Sequence, residues 1–88
     1  MRESLIEKRL CKRVKEFGGL CEKFTSPGKR SVPDRLITLP GGAIVFVELK
    51  RPGSKPTPLQ AKDHDRRRAL GCDVRVIDSL EGADAFPN

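Results

Sequence analysis

Residues 34–50 read DRLITLPGGAIVFVELK. Two apolar-rich runs, Asp34 to Leu39 and Ala43 to Lys50, flank Pro40-Gly41-Gly42. That is the pattern of a β-hairpin closed by a three-residue, glycine-containing loop. If Leu39 pairs with Ala43, the register carries Asp34 opposite Glu48. Side chains alternate along a strand, so Glu48 and Lys50 share a face and Leu49 takes the other. Directly opposed Cβ atoms lie roughly 5 Å apart. Asp34, Glu48 and Lys50 therefore converge at one end of the hairpin.

Two carboxylates at that distance repel, and one has its pKa raised unless a cation sits between them. A hard divalent ion with oxygen ligands is the usual remedy. Such an ion lowers the pKa of water and neutralises charge on a phosphate under attack. Lys50 is a point charge able to orient a nucleophile or stabilise developing negative charge. The competing reading is a surface Asp–Lys–Glu network worth a few tenths of a kcal/mol. The apolar character of both hairpin faces, Leu36, Ile44 and Phe46 on one and Ile37, Leu39, Val45 and Val47 on the other, argues for a central, covered hairpin.

Upstream, Ile6, Leu10, Val14 and Phe17 mark one apolar stripe of a helix over residues 3–17, ended by Gly18-Gly19. Glu7 sits at the edge of that stripe, either solvated or aimed at a site beside the sheet. Residues 20–25 alternate as an edge strand, and residues 26–31 form a loop carrying Lys29 and Arg30 next to Pro33-Asp34. Downstream, Arg51 to Pro56 form a basic connector. Thr57-Pro58-Leu59-Gln60 has the form of a capping box with proline at the first helical position, opening a helix that runs to Leu70. Its apolar content is thin (Leu59, Ala61, Ala69 and Leu70), and Lys62, Arg66, Arg67 and Arg68 make it basic. The arginine run is either a solvated face or a DNA contact, and His64 reads as a helix-surface residue. Residues 73–77 form a strand, and Ser79 caps a short last helix through about Ala85. A strand–helix–strand crossover is right-handed and makes the last strand parallel to the hairpin's second strand. The expectation is one α/β domain over residues 1–88, in the order αβββαβ plus a short C-terminal helix, with a mixed four-stranded sheet flanked by helices.

The chain has 18 Lys and Arg against 12 Asp and Glu, a net charge of +6. This balance points to a polyanion, nucleic acid foremost. Four Phe with no Tyr or Trp argue against single-strand binding by base stacking and favour phosphate and shape recognition. Phe17, Phe24 and Phe46 read as core. Cys11, Cys21 and Cys72 lack metal-ligand spacing and read as reduced, mostly buried thiols of an intracellular protein. No apolar run suits a signal peptide or a membrane span.

Taken together, these residues resemble the PD-(D/E)xK nuclease superfamily, and more closely its virus-type replication-repair nuclease (VRR-NUC) branch. The resemblance is carried by the Glu7-bearing first helix, Gly18-Gly19, Lys23, Val32-Pro33-Asp34-Arg35 and Gly41-Gly42. It continues through Phe46-Val47-Glu48-Leu49-Lys50-Arg51-Pro52-Gly53, Pro58-Leu59-Gln60 and Leu70-Gly71. It implies a restriction-endonuclease-like core, with Asp34, Glu48, the main-chain carbonyl of Leu49 and Glu7 as ligands of Mg²⁺ or Mn²⁺. It further implies Lys50 as the catalytic lysine and Gln60 close to the site. Ser31 stands where the family commonly has Gly, and Arg67 where an apolar residue is usual.

The expected function is metal-dependent, structure-specific DNA endonuclease activity. The site residues are Asp34, Glu48, Lys50 and Gln60, and Lys23, Lys29, Arg30, Arg66, Arg67 and Arg68 hold the DNA backbone. Branched double-stranded DNA, a four-way (Holliday) junction first, is the expected partner, cut by a homodimer because paired cleavage needs two sites related by a twofold axis. The setting the resemblance implies is cytoplasmic, in a bacterium or a phage-infected host, with no membrane partner. The alternative is a non-catalytic basic nucleic-acid-binding module on the same fold.

Overall fold

In the computed structural model, which describes residues 2–88, the hairpin forms in the expected register. Strands β2 (Arg35–Thr38) and β3 (Ile44–Leu49) pair antiparallel, with Arg35 opposite Val47 and Thr38 opposite Ile44. The loop closes through Leu39 N–H donating to the Ala43 carbonyl at 2.8 Å and Gly42 N–H to the Leu39 carbonyl at 2.9 Å. Helix α1 (Glu3–Phe17) and strand β1 (Leu20–Lys23) precede the hairpin. Helix α2 (Pro58–Ala69), strand β4 (Asp73–Ile77) and helix α3 (Leu80–Ala85) follow it. The sheet order is β1-β2-β3-β4, with β1 antiparallel at one edge and β4 parallel to β3 at the other.

The helix ends follow their local chemistry. Gly18 at φ 92° ends α1; its N–H donates to the Lys15 carbonyl and that of Gly19 to the Val14 carbonyl, the paired bonds of a Schellman motif. A Cβ on Gly19 would lie 2.6 Å from the Thr38 carbonyl oxygen, so the turn brings α1 against the sheet as only glycine permits. Thr57 and Gln60 close a reciprocal capping box at the start of α2, and Ser79 caps α3 through Gly82 N–H.

The core lies on one face of the sheet. Ile6, Leu10 and Val14 of α1 meet Ile37, Val45, Val47 and Leu49, joined by Ile77, Ala83 and Phe86. Burying each large side chain of this set is worth roughly 1.5–3 kcal/mol. Phe17, expected in the core, is 46% exposed, because α1 ends there and the Arg13 guanidinium lies 5.8 Å over its ring. Phe86, beyond the last helix, is fully buried in its stead.

The opposite face is thinner than expected. Leu36 and Phe46 are half-buried and Ile44 is exposed. Helix α2 covers this face with polar groups at helical spacing: Gln60, Asp63, His64 and Arg67. The Arg67 guanidinium stacks 5.0 Å over Phe46 and 5.2 Å over Phe24, and its Nε donates to the buried Asp63 at 2.7 Å. Phe24 and Phe46 meet edge to face at 5.4 Å. Leu59 of α2 and Leu70 at its C-cap are 72% and 86% exposed, so the leucines do not supply the helix's inward face.

Candidate active site

The carboxylate pair sits at the open end of the hairpin, on the face covered by α2. Asp34, one residue before β2, is anchored twice. Its carbonyl accepts from Phe24 N–H at 3.0 Å, and its Oδ2 accepts from Leu49 N–H at 2.8 Å. Val32 and Pro33, both buried, fix the chain that leads to it. Glu48 is 2% exposed. Burial above all, then the charge and hydrogen bond of Asp34, push its pKa up to about 8 against the opposing pull of Lys50. Lys50 Nζ lies 3.7 Å from Glu48 Oε2. The sequence-derived convergence of Asp34, Glu48 and Lys50 is therefore present.

Helix α2 completes the surroundings of Glu48. Gln60 does two jobs: its Oε1 accepts from Thr57 N–H at 2.9 Å, closing the capping box, and its Nε2 donates to Glu48 Oε2 at 3.4 Å. One turn on, His64 is 1% exposed, with Nε2 3.5 Å from Glu48 Oε1. This corrects the surface reading of His64. Burial, then the Arg68 charge, lower its pKa, which favours the neutral imidazole. Among the described residues neither Glu48 Oε1 nor His64 Nε2 has a hydrogen-bond partner. The available signal was the four-residue spacing from Gln60, which puts both side chains on one helix face.

Glu7 pairs with the neighbour of Asp34 on the chain. Its Oε2 accepts from Arg35 Nε at 2.9 Å. Arg35 and Asp34 are adjacent on the chain and point to opposite faces, so the α1 side receives the arginine and the α2 side the carboxylate. Arg35 also donates to the Cys21 carbonyl at 3.1 Å. Glu3, in the first turn of α1, adds a smaller repulsion on Glu48. No cluster of three or more metal-ligating side chains stands among the described residues. The oxygen donors that fit a hard divalent ion are those of Asp34 and Glu48 beside the Leu49 peptide. The unpartnered, buried Oε1 of Glu48 is the feature a cation would satisfy.

The basic residues divide. Lys23 and Arg30 are exposed. Lys29 Nζ lies 3.9 Å from the buried Asp63. Lys29, Ser31, Leu59, Lys62, Asp63 and Arg66 line a hollow of about 200 Å³, which adds Lys62 to the basic groups facing solvent there. Arg68 is tied to the Val74 carbonyl at 2.9 Å and to Asp65 at 3.5 Å. Arg67 is turned inward against the phenylalanines, a packing group rather than an outward contact.

Two opposed carboxylates and a lysine at the end of a central hairpin, within a mixed sheet flanked by helices, define a nuclease domain of the PD-(D/E)xK kind. No family model matches the chain. Over 87 residues, 99% of its length, it is 52% identical to "Putative nuclease p44" of Acyrthosiphon pisum secondary endosymbiont phage 1, covering 94% of that protein. A solved structure described as "VRR_NUC domain" superposes with a TM-score of 0.88 at 37% identity, over 93% of this chain and 89% of the other. The chain belongs to the VRR-NUC family. No helix among the described residues is long and apolar enough to cross a membrane.

Proposed function

We propose that this nuclease domain is a metal-dependent endodeoxyribonuclease that hydrolyses phosphodiester bonds in branched DNA, four-way junctions first, as a homodimer. The observation that carries the reading is the buried Glu48 carboxylate opposed to Asp34, with its Oε1 unpartnered. Such a pair is costly without a cation, and a divalent ion between the carboxylates would relieve that cost.

Asp34, Glu48 and the Leu49 carbonyl would hold Mg²⁺ or Mn²⁺, which when bound acidifies water and neutralises charge on a phosphodiester. The protein's own groups have separate tasks. Leu49 N–H fixes the Asp34 carboxylate, Gln60 and His64 bracket Glu48, and Lys50 presents a positive charge to the attacking water or the scissile phosphate. Lys23, Arg30 and the hollow bearing Lys29, Lys62 and Arg66 supply backbone contacts that carry no sequence information, as shape recognition requires. Two copies related by a twofold axis would present one such centre to each of two strands of a junction.

The test is cleavage of a labelled four-way junction and of its linear duplex arms, with Mg²⁺, Mn²⁺ or EDTA. The wild-type chain is expected to cut the junction with either metal and not with EDTA. Lys50→Ala and Asp34→Ala should lower the rate roughly a hundredfold or more. Equal rates in all three proteins would remove the assignment. Salt-sensitive junction binding without cleavage would leave a basic binding module in its place.

A further inference from the structure

Away from the carboxylates, two thiols touch. Cys11 on α1 faces Cys21 on β1, with the sulfurs 2.8 Å apart. Both are half-buried, and both are free thiols. Together with Lys15, Gly19 and Leu20 they line a hollow of about 370 Å³ that opens on the surface. Buried structural thiols are inert because nothing reaches them; these two are in mutual contact and share an entrance.

We propose that Cys11 and Cys21 form a redox-modifiable dithiol, closed to an intramolecular disulfide by a small-molecule disulfide such as oxidised glutathione. The sulfurs need to approach only to about 2.05 Å, the length of a disulfide bond. The starting separation of 2.8 Å is already short, between elements joined by the Gly18-Gly19 turn. Lys15 at the rim suits the anionic oxidant.

The order of events follows from the environment of Cys21. Burial first, then the hydrogen bond and charge of Cys11, push its thiol up to about 12, so Cys11 attacks first. The Cys11 thiolate displaces one glutathione from the oxidant, leaving a mixed disulfide at Cys11. Capping removes the Cys11 hydrogen bond and charge that held the Cys21 proton. Cys21 then loses that proton to solvent and attacks Cys11 Sγ, expelling the second glutathione. Two protein thiols are oxidised, one glutathione disulfide is reduced to two thiols, and the exchange runs backward under a reducing thiol. The product staples α1 to the edge strand of a small domain, where a covalent link adds to a modest core. Cys72 serves as the internal reference, lying in a different hollow with Gly71 and Asp73.

The test treats the full chain with oxidised glutathione, then counts thiols under denaturing conditions and maps the linked peptides by mass. The titratable thiols should fall from the three of the reduced chain to one, with Cys11 joined to Cys21. Tm should rise by about 5–15 °C and return on adding dithiothreitol. Cys72→Ser should lose both remaining thiols, and Cys21→Ser should stop at a glutathione adduct on Cys11. Persistence of all three thiols, a stable adduct in the wild-type chain, or linkage through Cys72 would overturn the proposal. The wild-type count and map stand without any variant, and none of these readouts depends on nuclease activity.

Discussion

At the scale of single residues, Glu48 and His64 set opposite pH dependences on the metal-free domain. Glu48 has a folded pKa of about 8 against an ordinary 4.5. The folded state therefore holds its proton where the unfolded chain has lost it, and stability falls as pH rises from about 4.5 to about 8. His64 has a folded pKa below its ordinary 6.5. Its contribution is present above pH 6.5 and is lost as pH falls below it. The two oppose each other under acid conditions, so Glu48 acts alone between pH 6.5 and 8. Urea midpoints measured in EDTA across that window should decline in the wild-type chain and stay flat in Glu48→Gln. A flat wild-type profile would show that the Glu48 carboxyl is not held protonated.

Among the elements, α2 is the one whose reading changed most between sequence and structure. Its boundaries were legible, because Thr57, Pro58 and Gln60 spell a start and Gly71 a stop. Its orientation was not. Amphipathicity assumes that the inward face is apolar, but this helix covers a face that carries charge. Gln60 and His64 turn toward Glu48, Asp63 toward Arg67, and the leucines go outward. Arg67 replaces an apolar contact with a stacked guanidinium, which no periodicity reveals. Arg66 and Arg67 should therefore separate cleanly. Arg67→Ala strands the buried Asp63 and strips the phenylalanines, and should lower Tm by about 5–15 °C in a thermal melt. Arg66→Ala should leave Tm within about 2 °C and reduce the salt slope of DNA binding by about one. An Arg67→Ala protein as stable as wild type would contradict the packing role.

For the molecule as a whole, legibility followed how local the determinants are. The hairpin register, and with it the meeting of Asp34, Glu48 and Lys50, follows from one turn and strict alternation. The parallel last strand follows from the crossover that a helix between two neighbouring strands requires. What the chain folds back from a distance was hidden. The closing Phe86, the half-covered second face and the pairing of Glu7 with Arg35 each depend on which elements end up adjacent. The net charge of +6 belongs to this scale too. It suits an extended polyanion, and the carboxylate pair is a local exception to it, as a cation centre inside a phosphate-binding surface would be.

Titration calorimetry with Mn²⁺ tests the carboxylate centre most directly, without requiring the right DNA. The wild-type chain is expected to bind Mn²⁺ with release of protons, because the ion displaces the proton that Glu48 holds. Asp34→Asn and Glu48→Gln are expected to lose that heat while remaining folded. Indistinguishable Mn²⁺ binding by all three proteins, or none by the wild type, would contradict a cation centre at this pair.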